Sequence, residues 1–560
     1  MPSSFKELGR KTFGLRRMSY APILTPMTDA NQAARKALHW ADSWADAIIR
    51  ERGDLDAYTC SAGITPSGTV HIGNFREIIS VDLVVRALRD RGKNARFLYS
   101  WDDYDVFRKV PANMPEQDML KAHLRFPITL VPDPFGRDES YARHHEADVE
   151  AVLPKVGITP EYRYQAECYR AGRYAEGMRT ALRNRDRIRD CLNRFRDDAH
   201  KISGQEDYWP VAAFCAKCNR DATEIDSYDG DYGVAYHCTA CGHAETADLR
   251  TAKGLKLGWR VDWPMRWHCE RTVFEPAGKD HHSKGGSFDT ARLVSKEVFG
   301  WDAPVSFRYD FIGIKGAPGK MSSSKGDVIT LGDVLRVYQP EIVRYLFAGT
   351  RPNTEFAISF DLDVLKTYED YDRTERIAWG AEKAKSDEAF WKERRIYELS
   401  QVDDMPAEMP YQAPFRHLCN ILQINSGDIG ATLASLPGVK PEQEARLRAR
   451  CECAWRWVTE CAPDEFAFSL RADGSKATLS EAEVQALRRI RADIAPQLDA
   501  LGEKALSEAL YAVAHGLALE PKALFQAVYQ ALIGKNQGPR LASFMKIIGR
   551  ERLERILGAY

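Results

Sequence analysis

No stretch of the sequence approaches the roughly 18 uninterrupted apolar residues that a membrane-spanning helix needs, so a soluble, cytoplasmic protein without membrane contact is expected. Nor is there an excess of one charge: 79 lysines and arginines face 80 aspartates and glutamates, a formal net charge of -1. That balance excludes a general polycation that coats nucleic acid through bulk charge, while leaving local basic faces open. Cysteine is scarce, 12 in 560 residues, which excludes a disulfide scaffold. There is no internal repeat and no low-complexity tract. What remains is an ordinary globular make-up, 44% hydrophobic and 28% charged, in a chain long enough for three or four modules of ~100–200 residues.

Residues 1–26 carry Lys6, Arg10, Lys11, Arg16 and Arg17 against a single acid, Glu7. An organelle transit peptide is basic and acid-poor in this way, but no long amphipathic pattern follows and an apolar h-region is missing. The favoured expectation is a flexible extension over 1–34, or an upstream start codon with Met18 or Met27 as the working start.

From about residue 32 a helical pattern begins (Leu38, Ala41, Ala45, Ile48). A strand-like run over 56–61 then meets the glycine-rich segment 63–74, an apolar-periodic helix follows, and a second strand over 95–101 runs into Asp102, Asp103 and Asp105. Strand, glycine loop, helix, strand is the grammar of a parallel α/β unit, whose ligands sit at the carboxyl ends of its strands. Residues 106–210 interrupt it with prolines and then long arginine-rich helices, and the α/β pattern resumes near Gly258. The expected divisions are 35–110 and 258–330 for the two halves of a Rossmann-type domain and 111–257 for an insertion. A connecting domain over 331–380 and an all-α domain over 381–560 follow.

Within the insertion, residues 211–250 form a cysteine module: Cys215-x2-Cys218, nineteen residues, Cys238-x2-Cys241. Two knuckles at this spacing bring four thiolates onto one tetrahedral Zn2+, a closed structural site without an open coordination position. His237 and His243 flank the second knuckle as rival ligands, and a redox C-x-x-C is the bland alternative.

Two further segments carry chemistry. His71-Ile-Gly-Asn74 opens a helix directly after the glycine loop, where small residues at 63, 68 and 73 let a ligand approach the backbone and free N–H groups face phosphate. Lys320-Met-Ser-Ser-Ser-Lys325 reads as a loop whose lysines and hydroxyls can close over a triphosphate. In this order and 249 residues apart, the two resemble the signatures of a class I aminoacyl-tRNA synthetase. The segments 63–77, Trp101–Asp105, Trp259–Trp267 and Glu275–His281 narrow the resemblance to the class I, archaeal-type lysyl-tRNA synthetases, over about residues 35–560. Two positions depart from the general class I pattern. Asn74 stands in place of the second histidine of the first signature and Ser323 in place of the second lysine of the loop, as in the lysyl branch.

That resemblance implies a Rossmann-type parallel-sheet catalytic domain, a zinc-containing insertion and an all-α anticodon-binding domain. It implies ATP, Mg2+ and structural Zn2+ as cofactors, L-lysine and tRNA(Lys) as partners, and a monomer is entertained. The lysine carboxylate attacks the α-phosphorus of ATP, and the 2'-OH of the terminal adenosine then takes the lysyl group. By resemblance His71, Asn74, Lys320, Ser323 and Lys325 are catalytic. Pro66, Ser67, Gly68, Gly73, Met321, Ser322 and Ser324 join them around ATP. Gly63, Thr65, Asp102, Asp103, Trp259 and His281 take lysine. The nearest competitor is a glutamyl synthetase, whose arginine ten residues before the first-signature histidine is here Ser61. A paralogue without aminoacylation activity is the alternative of a different class. The acids at 102–105 have helix capping or a salt bridge to Arg108 and Lys109 as their bland reading. Basic stretches at 170–201 (ten Lys/Arg, five acids) and 535–560 (six against two) are expected to meet tRNA, against a bland reading as solvated helix faces.

Overall fold

In a computed structural model that describes residues 39–203, 208–316 and 328–560, the chain is organised around strand β1, Tyr58–Ile64. Its residues are buried on both faces as far as Ala62, as a central parallel strand requires. The helix ahead of it, α1 (Trp40–Arg52), ends at Gly53 with φ +72°, a left-handed turn that glycine takes without strain. After β1 comes α2, Ile72–Arg89. His71 caps it: its Nδ1 accepts the Gly73 N–H while Asn74 Oδ1 accepts the His71 N–H, a reciprocal box that fixes where the helix starts. Strand β2, Ala95–Trp101, pairs with β1 in parallel, Gly63 opposite Ser100 and Ile64 opposite Trp101.

The insertion begins beyond Trp101. It contains α3 (Tyr141–Val152), strand β3 (Glu161–Tyr164), which joins the edge of the sheet beside β2, and two basic helices, α4 (Ala175–Arg183) and α5 (Arg185–Asn193). The expected long arginine-rich helices are therefore short ones, broken where Asn184 leaves helical geometry at φ -110°, ψ 23°. The cysteine module follows as β4 (Val211–Ala213), β5 (Thr223–Tyr228), β6 (Gly233–Cys238), β7 (Ala244–Asp248) and β8 (Leu255–Leu257). Antiparallel pairing of β4 with β8 closes its base, so entry and exit leave side by side. A second core, including Tyr169, Met178, Phe214 and Tyr236, packs this insertion against Val261 and Met265.

Those two residues belong to α6, Trp259–Glu270, which returns the chain to the sheet through β9 (Thr272–Phe274). The sheet order β3-β2-β1-β9 is parallel throughout, a Rossmann-type arrangement. Beyond it run β10 (Ala277–Gly278), α7 (Ser287–Val298), β11 (Arg308–Tyr309) and β12 (Ile312–Ile314). Helices α8 (Leu331–Val337) and α9 (Pro340–Ala348) come next, then β13 (Phe356–Ile358) in parallel with β12.

The remaining helices divide by their cores. Helices α10 (Asp363–Ala378), α11 (Asp387–Ser400), α12 (Phe415–Ile424) and α13 (Pro441–Glu460) share the first core with the catalytic sheet, through Tyr397, Leu418, Cys451 and Trp457. A separate core joins α14 (Glu481–Arg489), α15 (Glu503–Gly516), α16 (Pro521–Ile533), α17 (Leu541–Ile548) and α18 (Arg550–Leu557). The apolar packing thus runs unbroken across residue 381 and changes only after α13, because α11–α13 present their apolar stripes to the sheet-bearing half. Arg344, fully buried on α9, binds the two halves of the first core together: it meets Asp82 at 2.7 Å and the carbonyls of Leu399 and Val156.

Candidate active site and thiol cluster

A cavity of about 240 Å3 opens at the carboxyl ends of β1 and β2, where a parallel sheet places its ligands. Gly63 and Ile64 from β1, His71, Gly73, Asn74 and Glu77 from the start of α2, and Tyr99 from β2 line one side. Gly278, Asp280, His281, Tyr309 and Phe311 close the other. Gly63 is obligatory there: a Cβ on it would lie 2.9 Å from the Ser100 carbonyl oxygen. Among these lining residues are two carboxylates, and none is lysine or arginine.

Glu77 had no assigned role in the sequence reading although it lies in a quoted segment. Its Oε1 accepts the Gly63 N–H at 3.0 Å and its Oε2 the Tyr309 hydroxyl. Burial pushes its acid up to about 8, and those two hydrogen bonds only partly offset the effect. Tyr309, Tyr99 and Asp280 were likewise not singled out. No local signal marks them, since Tyr309 lies 232 residues from Glu77.

His71, Asn74, Gly63, Gly73 and His281 meet in this cavity. With Nδ1 of His71 accepting from Gly73, the neutral imidazole carries its proton on Nε2, a donor suited to a phosphate oxygen. Pro66, Ser67 and Gly68 form the turn between β1 and α2; the Ser67 carbonyl accepts the Tyr141 hydroxyl at 3.1 Å. Lys320, Met321, Ser322, Ser323, Ser324 and Lys325 lie outside the described residues.

The aspartates at the end of β2 point elsewhere. Asp102 meets Arg266 at 2.6 Å, and Arg266 also meets Asp262 at 3.1 Å, so its charge is balanced by an arginine 164 residues away rather than by Arg108 or Lys109. Asp103 is buried and accepts the Ala166 N–H at 2.8 Å in the first turn of the short helix Gln165–Arg170. Neither lines the main cavity. Asp105 accepts from Thr65 and from Lys256. Trp259 stacks on Trp263, centroids 5.1 Å apart at 16°, with its outer face 37% exposed, and Trp263 sits 5.7 Å from His281. Trp263 and Trp267 both donate to Glu275, so the tryptophans form a scaffold that ends at Trp259.

In the insertion the four thiols converge. Sγ of Cys215 lies 3.6 Å from that of Cys241, and Cys218 is equally far from Cys238. Four sulfurs bound tetrahedrally at ~2.3 Å would lie ~3.7 Å apart, so the donor set fits one zinc ion without rearrangement. His237 turns to Asp226 at 2.7 Å and His243 to Glu245 at 3.4 Å, which leaves the cluster all-sulfur. Gly242, at φ +72°, makes the second knuckle's turn.

The basic stretches are largely engaged within the chain. Arg179 and Arg183 meet Asp231, and Arg187 and Arg194 meet Glu297. Near the C-terminus Lys535 donates to the Asp464 and Ala467 carbonyls, Lys546 to that of Leu501, and Arg552 to that of Ile424. Much of the C-terminal positive charge therefore stitches helices together.

Residues 38–403 match the family model described as tRNA synthetases class I (K), and 460–559 match that of an anticodon binding domain. The chain is 61% identical over 526 residues to the lysine–tRNA ligase of Treponema pallidum (strain Nichols), covering 94% of this chain and 99% of that one. It is 41% identical to the lysine–tRNA ligase of Thermococcus kodakarensis (strain ATCC BAA-918 / JCM 12380 / KOD1), over 92% and 98% of the two chains. To that of Methanosarcina barkeri it is 32% identical, over 92% and 96%.

Proposed function

The chain belongs to the class I lysyl-tRNA synthetases, and from that premise we propose how its residues divide the work. The enzyme is a lysine–tRNA ligase: it activates L-lysine with ATP and passes the lysyl group to the 2'-OH of the terminal adenosine of tRNA(Lys), releasing AMP and pyrophosphate. The attacking carboxylate is already an anion, so the first step needs positioning and charge neutralisation rather than a general base.

The observation that supports the lysine site is the charge of the cavity. Among the described residues, Glu77 and Asp280 line it and no lysine or arginine does. A cation belongs there and a glutamate side chain does not, in keeping with Ser61, which meets Thr272 at 3.1 Å where an arginine would neutralise an acid. Glu77, held by Gly63 and Tyr309, is read as the partner of a lysine ammonium, with Gly63 and His281 of the cavity wall around the substrate and Thr65 and Trp259, just outside that wall, completing the set. Asp102 and Asp103 are assigned structural roles, since one is neutralised by Arg266 and the other caps a helix.

For ATP, the His71 imidazole, held by its cap with Nε2 as the proton-bearing nitrogen, is read as facing phosphate beside the positive end of α2; the first N–H groups of that helix are already taken, Ile72 by Ile329, Gly73 by His71 Nδ1 and Asn74 by the His71 carbonyl. Lys320 and Lys325 carry the remaining positive charge, with Ser323 between them. Mg2+ would come with ATP and would supply further charge neutralisation on the triphosphate. Cys215, Cys218, Cys238 and Cys241 would hold a structural zinc ion that braces the insertion. The unit beyond about residue 460 is the anticodon-binding part. With all described cysteines unpaired and no helix among the described residues long and apolar enough to cross a membrane, a cytosolic enzyme is the reading.

The test is charging of unfractionated tRNA with radiolabelled lysine and, in parallel, glutamate. Lysine alone is expected to be attached. Glutamate charging would overturn the cavity assignment, and attachment of neither would point to loss of the transfer step.

A further inference from the structure

Three residues from separate parts of the chain form a line that ends at the amino-acid site. Thr65, just past Ile64 of the cavity wall, donates its hydroxyl to Asp105 Oδ2 at 2.9 Å. Asp105 Oδ1 accepts from Lys256 Nζ at 2.7 Å, and Lys256 gives a second hydrogen bond to the Tyr104 carbonyl at 2.8 Å. Lys256 lies on β8, the strand that closes the cysteine module, and its side chain is only 15% exposed.

A hydroxyl has one proton and two lone pairs. With that proton committed to Asp105, Thr65 Oγ1 presents only lone pairs to whatever approaches it. Lone pairs suit an ammonium N–H and repel a carboxylate oxygen. We infer that Lys256 is a positioning residue for lysine binding, which through Asp105 fixes the Thr65 hydroxyl as an acceptor for an ammonium group of the substrate. The inference rests on the placement of Thr65 in the lysine site proposed above.

The charges around Asp105 are consistent with this. Burial would push its acid up, but Lys256 and the Thr65 hydroxyl hold it below the ordinary aspartate range, with Arg266 of α6 also acting on it. Asp102 and Asp262 are the neighbouring acids in the same recess, both paired with Arg266. Without Lys256, Asp105 would be an acid near two others. Half-exposed and deprived of the cation that holds its acid down, it would take up a proton more readily than in the wild type and, once protonated, could donate to Thr65, freeing the hydroxyl to turn.

Asp105→Asn gives a sharper case. Lys256 would claim the amide oxygen and turn the NH2 toward Thr65, which must then accept, so its own proton points at the substrate.

The experiment is lysine-dependent ATP–pyrophosphate exchange, with KM for lysine and for ATP measured from about pH 6 to 9. The variants are Thr65→Val, Lys256→Met, Lys256→Arg, Asp105→Asn and Thr65→Val/Lys256→Met. Lys256→Met is expected to raise the lysine KM about tenfold, leave the ATP KM within about twofold, and deepen on the acid side the pH dependence that Glu77 already gives the wild type. Lys256→Arg should restore most of the affinity, Asp105→Asn should be at least as impaired as Thr65→Val, and the double variant no worse than the worse single one. If Thr65→Val leaves the lysine KM unchanged, the placement of Thr65 is wrong. If Thr65→Val raises it while Lys256→Met and Asp105→Asn do not, or if the Thr65 and Lys256 effects multiply, the relay is overturned. Equal rises in the lysine and ATP KM would also overturn it, since a general distortion would do the same.

Discussion

Glu77 Oε1 accepts the Gly63 N–H at 3.0 Å, so the carboxylate is held against the end of the central strand rather than left to swing in the cavity. Its acid lies at about 8, pushed up by burial. Between the ordinary value near 4.5 and about 8 the folded chain keeps a proton that the unfolded chain has released, so this group's contribution to stability falls as pH rises through that window. Glu77→Gln does not titrate and can keep both hydrogen bonds. Its thermal midpoint relative to wild type is expected to rise from pH 5 to pH 9, by up to ~4 kcal/mol in free energy if the whole shift is realised, as calorimetry would read. Lysine activation should move the other way, falling by two to three orders of magnitude with the loss of a charge-assisted partner. In the wild type the lysine KM should fall as pH rises toward about 8, because the ammonium needs the ionised carboxylate.

Gly63→Ala tests the strand end itself. The added methyl meets the Ser100 carbonyl oxygen at 2.9 Å, and β1 and β2 must part to admit it. A stability loss of about 1–3 kcal/mol is expected by urea titration. The same shift moves the N–H that orients Glu77, so lysine KM should rise more than ATP KM.

The thiol cluster sits away from the cavity, on the far strands of the insertion. Cys218→Ser, or prolonged chelation, is expected to remove one equivalent of zinc by metal analysis and to melt β5–β7, losing their amide-exchange protection. Charging of tRNA should drop more than lysine activation. Retention of full metal content by the variant would contradict the four-sulfur site.

Arg344→Met removes a fully buried guanidinium whose partners are Asp82 and two backbone carbonyls. Asp82 would keep Arg86 at 3.0 Å, but the carbonyls of Leu399 and Val156 would lose their donor, which costs about 1–3 kcal/mol, visible as a lower urea midpoint. Arg344→Met/Asp82→Leu should recover none of that loss, since Arg86 would then lose its carboxylate.

What could be read from the residues in order was what depends on local spacing. The two cysteine knuckles needed only their separation. The helix after His71 needed only its apolar period and cap, and β2 its alternation. What escaped was fixed by partners far away in the chain. Glu77 is ordinary until Tyr309 and Gly63 close on it. Asp102 and Asp103 read as cation ligands until Arg266 and the Ala166 N–H take them. The basic runs show a related point: composition counts charges, whereas Glu297 and Asp231 decide which of them are already paired within the chain. The pattern turns helical from about 331 onward and marks no division at 381; a helix can belong to either core, and the apolar faces of α11–α13 belong to the first.

That allegiance bears on how the molecule can be taken apart. A fragment ended at 403, where the synthetase match stops, would strip Leu418, Cys451 and Trp457 from the interior and leave an oily wound beside the active centre. The natural seam lies after α13, where the interior changes hands, with Ile424 and Gln423 of α12 reaching across. Chimaeras that trade the tRNA-reading end between relatives should be cut there, leaving the chemistry's foundations in one piece.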